Sequence, residues 1–183
     1  PHGNMGLFYA WDATLRYADG VARVNLLLNR ASPWMDIDSY IPYQGKAVIK
    51  NKKASEAFVR IPLYVENNTV ACRVGDRKVK PEWLGRYLRF ERLKAGDVVT
   101  IEFPLEERIE RWTSPPPAYG WPTLPLPGGI VYTCKFKGNT LIEISPPPWP
   151  GTRLYQDRPA NYKSAKAPMK NVRRYVADQR LQW

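Results

Sequence analysis

Residues 87–109, YLRFERLKAGDVVTIEFPLEERI, set apolar against polar side chains at every second position, pause at Lys94-Ala95-Gly96-Asp97, and resume. A period of two is the mark of a half-buried strand. The stretch predicts a pair of strands. One turns Leu88 and Phe90 inward and the other Val99, Ile101 and Phe103, while Arg89, Glu91, Thr100 and Glu102 face water. Gly96 offers the positive φ that a tight connection often takes. The same period predicts strands in VARVNLLLN (21–29), with Val24, Leu26 and Leu28 on one face, and in KAVIKN (46–51). It also does so in EAFVRIPLYV (56–65), where Val59 and Ile61 oppose Phe58 and Arg60, and in TVACRVG (69–75), where Val70, Cys72 and Val74 share a face. RKVKPEW (77–83) is extended and exposed, and ERIERW (107–112) makes one more strand after Pro104.

One segment breaks this rhythm. In residues 4–17, Leu7, Trp11 and Leu15 recur every fourth position with Phe8 beside them, which predicts a short, strongly apolar helix capped by Asn4 and stopped at Asp19-Gly20. Such a helix needs a partner surface to bury its face. Beyond residue 113, the proline-rich stretch SPPPAYGWPTLPLPGG (114–129) is a stiff connection or a boundary. GIVYTCKFKGNTLIEISP (129–146) is a hairpin turning at Gly138-Asn139, PPPWPG (146–151) is a second proline loop, and NVRRYVADQRLQW (171–183) fits strand or helix. The fold class expected is mainly β: an antiparallel β-sandwich with one short N-terminal helix and a Pro-rich C-terminal extension. The expected divisions are 1–19 for the helix, 20–113 for the sandwich, and 114–183 for linker, hairpin and C-terminal segment.

Composition agrees with that class. Eighteen prolines in 183 residues disfavour a helical protein, and 44% hydrophobic residues suffice for a core. No apolar run nears the roughly 20 residues of a membrane-spanning helix, so no membrane partner is expected. The opening Pro1-His2-Gly3-Asn4 has neither an initiator Met nor a signal-peptide pattern, and reads as sequence from within a longer protein. The formal charge of +11 invites a nucleic-acid reading, but it is uneven. Residues 1–152 carry a mixed-sign net +5 and residues 153–183 a net +6, without a helix-turn-helix, zinc-finger or RNA-recognition signature. A solvated surface explains the charge, and no nucleic-acid partner is expected.

Reactive groups are scarce. His2 is the one histidine, which leaves Ser-His-Asp and Cys-His arrangements without support. Cys72 and Cys134 stand far apart with no histidine cluster, so no metal site is expected in the chain; they read as two buried thiols, with a long-range disulfide as the other reading. Asp36 with Asp38, Glu106 with Glu107, and Glu91 with Glu102 are carboxylate pairs of the kind glycosidases use, although acids on the polar face of a strand ordinarily only solvate it. Asp36-Ile37-Asp38 lies beside Trp34, whose ring could stack on a sugar or plug the sandwich edge.

GLFYAWDATLRYADGVARVNLLLNRASPW, YIPYQGKAVIKN, FVRIPLYV and YLRFERLKAGDVVTIEFPLEERI, in that order over residues 6–112, resemble the region that follows the catalytic barrel in the β-L-arabinofuranosidase family of glycoside hydrolases. VYTCKFKGNTLIEIS looks like the tail of its bacterial members. The resemblance implies an upstream (α/α)6 barrel as the chain's partner, with the helix at 4–17 as the barrel's last, and a carbohydrate substrate for the whole. It further implies a cysteine nucleophile held on zinc by cysteines and a glutamate, all upstream of Pro1. No catalytic role transfers to Cys72 or Cys134. His2 and Asn4 would lie near the sugar by adjacency, and with Trp34 they are the candidate substrate-binding residues. The chain departs from the family at Tyr64-Val65, where a Trp-Ala type ending is common, and this leaves the sugar open. The expected role is a non-catalytic support for the barrel. The alternative is a carbohydrate-binding module using Trp34, Trp83, Trp112, Trp121 and Trp149, which requires two or more rings exposed on one face.

Overall fold

The structure is a computed structural model and describes residues 2–114, 129–147, 166–170 and 176. By internal contacts the chain divides into two units, Pro1–Pro104 with Ala165–Trp183, and Leu105–Ser164.

The first unit opens with helix α1 (His2–Ala13), followed by strands β1 (Leu15–Ala18), β2 (Val21–Val24), β3 (Met35–Ser39), β4 (Lys46–Asn51), β5 (Glu56–Arg60), β6 (Ala71–Val74), β7 (Arg77–Val79), β8 (Glu82–Leu84), β9 (Tyr87–Glu91) and β10 (Val98–Glu102). They form two five-stranded sheets, ordered β1-β2-β5-β9-β8 and β3-β4-β10-β6-β7. All neighbours are antiparallel except β2 and β5. Each sheet buries one face. Leu15, Ala22, Val24, Ala57, Val59, Leu88 and Phe90 come from the first sheet, and Met35, Ile37, Ala47, Ile49, Cys72, Val99 and Ile101 from the second. Two one-sided sheets satisfy both apolar faces by packing them together, which is the sandwich that the alternation predicts.

The chain does not build one sheet and then the other. It lays strands in short groups and crosses between the sheets five times, after β2, β4, β5, β7 and β9. The segment read as a pair of strands is therefore corrected. β9 and β10 both exist and bury the expected residues, but they pair with different neighbours in opposite sheets, and the turn through Gly96 (φ +91°) is an arch rather than a hairpin. RKVKPEW likewise divides into β7 and β8, with a crossing at Lys80-Pro81.

Asn51 ties two crossings together. Its side-chain Nδ2 donates to the carbonyls of Ala54 (2.7 Å) and Lys94 (2.8 Å), and its Oδ1 accepts from the Ala54 N–H (3.0 Å). Its main chain exchanges further bonds with Asp97 and Gly96. A buried loop must satisfy its polar backbone, and here one amide does so for the β4–β5 and β9–β10 connections. Packing is as tight at Gly45, where an added Cβ would stand 1.9 Å from the Phe103 carbonyl oxygen.

Several boundaries differ from the sequence reading, and the strand expected over 56–65 ends at Arg60. The helix spans His2–Ala13 rather than 4–17, so Asn4 lies in its first turn instead of capping it, and Leu15 and Tyr17 belong to β1. Leu7, Trp11 and Leu15 at spacing four fit a period of two as well as a helix, and at Leu15 the strand prevails. The strand expected over 21–29 ends at Val24; beyond it Leu27 is buried and Leu28 half-exposed.

The second unit holds β11 (Glu107–Ser114), β12 (Ile130–Lys137) and β13 (Thr140–Ser145) as an antiparallel meander. Gly138 (φ +59°) opens the expected turn between β12 and β13. The expectations for 115–128, 148–165 and most of 171–183 lie outside the described residues.

Candidate functional site

Two sites bear on function: the junction between α1 and the sandwich, and the carboxylates on the strand surfaces. A helix leaves its last carbonyls without intrahelical partners. In α1 these are met from the segment after β2. Arg30 Nη1 donates to the Trp11 carbonyl (3.2 Å) and Asn25 Nδ2 to the Ala13 carbonyl (2.8 Å), while the Asn25 N–H donates to the Thr14 carbonyl (2.9 Å). Tyr87 of β9 in turn donates its hydroxyl to Asn25 Oδ1 (3.0 Å). The Arg30 guanidinium lies over the Trp11 indole, 3.3 Å from its centroid, with only 6% of the residue exposed. A cation at a helix C-terminus and over an indole face is doubly favoured. Burial lowers the Arg30 pKa, opposed by Asp12, which itself pairs with Arg16 at 3.3 Å.

The locked end of α1 contrasts with its other side chains, since Leu7 is 72% exposed and Tyr9 53%. His2 and Asn4 lie in the first turn, and by helix geometry His2 stands roughly 14 Å along the axis from Trp11. Their side chains lie outside what the structure describes. Trp34 precedes β3 and stacks on Tyr17 of β1 (5.2 Å between centroids, 8° between planes), bridging one edge of each sheet. One face of its ring is thereby occupied. Arg30 and Asn25 were missed from the sequence, and the one available signal was the polar Asn25, Asn29 and Arg30 interrupting an apolar run.

Of the carboxylate pairs, Asp36, Asp38, Glu91, Glu102 and Glu107 are each held in an ion pair. Asp36 accepts from Lys52 Nζ (2.7 Å) and from the Ser32 N–H (3.2 Å), and Asp38 pairs with Lys50 (3.1 Å). Glu91 pairs with Arg89 (3.0 Å), which also binds Glu56 and Glu82. Glu107 pairs with Lys135 (2.6 Å). Glu102 sits in the opposite sheet from Glu91 and bonds to Arg73 (2.7 Å) and Lys46 (3.5 Å). Arg73 first, then Lys46, hold its carboxyl below the usual range, the reverse of what a general acid requires. A cleft of about 520 Å³ opens beside β7 and β8, with Arg77, Lys80, Glu82, Arg89, Glu91 and Arg92 on its walls.

The described residues of this chain do not offer a zinc site. No group of three His, Cys, Asp or Glu that could hold a metal ion occurs among the described residues. Cys72 and Cys134 are free and buried, and burial pushes the Cys72 thiol up to about 12, far from the thiolate that zinc binding or nucleophilic attack needs. Among the described residues no helix is long and apolar enough to cross a membrane.

No family model and no curated protein matches the chain. Among solved structures, its backbone is similar to a glycoside hydrolase family 127 β-arabinofuranosidase at 20% identity, with a TM-score of 0.45 over 52% of this chain and 19% of that one. It is also similar to a family 127 β-L-arabinofuranosidase from Geobacillus stearothermophilus T6 at 14% identity, with a TM-score of 0.49 over 71% and 21%. A third structure, titled a glycoside hydrolase, is 20% identical with a TM-score of 0.41 over 49% and 17%. The chain thus spans about a fifth of the length of the solved enzymes whose backbone it resembles.

Proposed function

We propose that this chain is the C-terminal β-sandwich part of a glycoside hydrolase of the β-L-arabinofuranosidase type, supporting the catalytic barrel and performing no catalysis itself. The observation that carries the reading is α1. Its C-terminal end is fixed to the sandwich by Arg30 and Asn25, while Leu7 and Tyr9 stand open to solvent. Exposed apolar side chains around a helix gain stability when neighbouring helices cover them, which an upstream helical barrel would do. The four ordered sequence blocks support the same assignment. They supply α1, β1, β2, β4, β5, β9 and β10, which include the central strands of both sheets. Under this reading the zinc and the cysteine nucleophile belong to the barrel.

The test is hydrolysis of an aryl β-L-arabinofuranoside by this chain alone and after co-expression with its upstream region. The expected result is no release from the chain alone and release from the combination. Turnover by the chain alone overturns the supporting role. A silent combination that is folded and zinc-loaded overturns the assignment to this chemistry.

A further inference from the structure

Of the five tryptophans that could form a sugar-binding face, Trp34 is stacked on Tyr17, and Trp83 is half-buried with the Arg86 guanidinium 6.0 Å from its ring centroid. Trp121 and Trp149 lie outside the described residues. Trp112 differs from these. Along β11 the odd positions Glu107, Ile109, Arg111 and Thr113 are exposed, and the even positions Arg108, Glu110 and Ser114 are half-buried. Trp112 has even parity, yet 57% of it is open to solvent. A large ring is left uncovered on the face that the strand otherwise covers.

The ring is also held in place. Glu110 uses both carboxylate oxygens, Oε2 accepting from the Trp112 indole N–H (3.0 Å) and Oε1 from Arg108 Nε (2.6 Å). Arg108 is fixed in turn by the Gly138 carbonyl and lies 4.8 Å from the Phe136 centroid. Across the ladder, Trp112 stands opposite Tyr132, Glu110 opposite Cys134, and Arg108 opposite Phe136. The face therefore presents one indole oriented by a hydrogen bond, with a tyrosine directly across and a hydrogen-bonding carboxylate–guanidinium pair next along the strand. Orienting the ring beforehand lowers the ordering cost of binding.

We propose that Trp112, flanked by Tyr132, Glu110 and Arg108, is a stacking platform for one residue of a neutral glycan. An aromatic face is electron-rich and attracts the weakly positive C–H groups of a sugar ring, while the flanking pair offers acceptors and donors to its hydroxyls. A protein partner fits less well. Ile109 and Val131, the other exposed apolar residues of this sheet, fall on the opposite face by parity, and one ring is far short of the roughly 1,000 Å² of a stable protein interface. The proposal takes from the preceding section only its ligand class, a glycan, and requires no hydrolysis.

The experiment is an NMR titration of the intact 183-residue chain with arabino-, xylo- and cello-oligosaccharides, following the tryptophan indole N–H signals. Trp112→Phe identifies the Trp112 signal by its loss. The expected result is a saturable shift of that signal with at least one sugar series. Trp112→Ala should weaken binding about tenfold or more, whereas Trp112→Phe, which keeps a ring, should weaken it less. Trp83→Ala should bind as the parent does, and an unchanged fold is read from the remaining amide signals. The platform is overturned by no movement of the Trp112 signal with any sugar, by undiminished binding in a folded Trp112→Ala, or by a Trp112 signal that shifts with protein concentration instead of sugar. Arabinofuranoside cleavage by the co-expressed protein is scored separately, so either idea can fail while the other stands.

Discussion

At Asn51, three side-chain hydrogen bonds hold two chain crossings in a position only 3% exposed. Asn51→Leu keeps the branching at Cγ and removes every one of them, leaving the Ala54 and Lys94 carbonyls and the Ala54 N–H without it. At about 1 kcal/mol for each bond, the expected loss is about 3 kcal/mol, read as a lower urea midpoint with an unchanged slope. Little or no loss would mean that water replaces the amide. Cys72 makes a prediction in pH. Its thiol stays protonated up to about 12 when folded but ionises near 9.0 when unfolded. Above 9 the unfolded chain therefore holds fewer protons than the folded one, so stability is complete below that pH and declines towards 12. Cys72→Ala should flatten the decline, and an identical slope in both proteins would assign it to other groups. In the same native protein below pH 9, Cys72 should also resist thiol reagents until the chain unfolds.

The element scale separates what could be read from what could not. Leu88, Phe90, Val99 and Ile101 announced β9 and β10 correctly because alternation reports which side of a strand is buried. It carries no information about which strand lies alongside, and so the turn at Gly96 resembled a hairpin until the pairing was seen. The end of α1 was hidden for a related reason. It is fixed by Asn25 and Arg30, which reach it through the tertiary fold, while the local spacing of Leu7, Trp11 and Leu15 runs on without a break. Of the candidate residues, Trp34 is readable as a sugar-stacking ring or an edge plug, and one face of its ring stacks on Tyr17. Trp112 is one candidate tryptophan among five in the sequence, because the hydrogen bond from its indole to Glu110 is a matter of geometry. The Arg30 clasp yields a prediction of its own. Arg30→Ala removes a buried cation–π contact and a carbonyl cap, and α1 should open locally while the sandwich persists. Chymotryptic cleavage after Tyr9 or Trp11, followed by mass, should then accelerate about tenfold or more. An unchanged rate would show that the Asn25 bonds hold the helix unaided.

Among the described residues, the two units differ in how many apolar side chains they bury. Both sheets of the first unit contribute buried side chains from several strands, whereas Cys134 is the one buried hydrophobic residue among the described residues of the second. Backbone bonds beneath a deep core open only with global unfolding, and those of a thin sheet open sooner. Hydrogen exchange should accordingly be slowest in β4, β5, β9 and β10 and faster throughout β11, β12 and β13. Equal protection in the three-stranded sheet would show that residues beyond those described complete its core.

The five crossings carry a consequence for how the first unit comes apart. Because β2 and β5 lie side by side in one layer while β3 and β4, which join them along the chain, belong to the other, each layer is stitched through its opposite. Neither can be peeled away intact, and a half-sandwich has no independent existence along the unfolding route. Damage to either layer is thus felt by both, and the surface offered by α1 lasts as long as the entire weave.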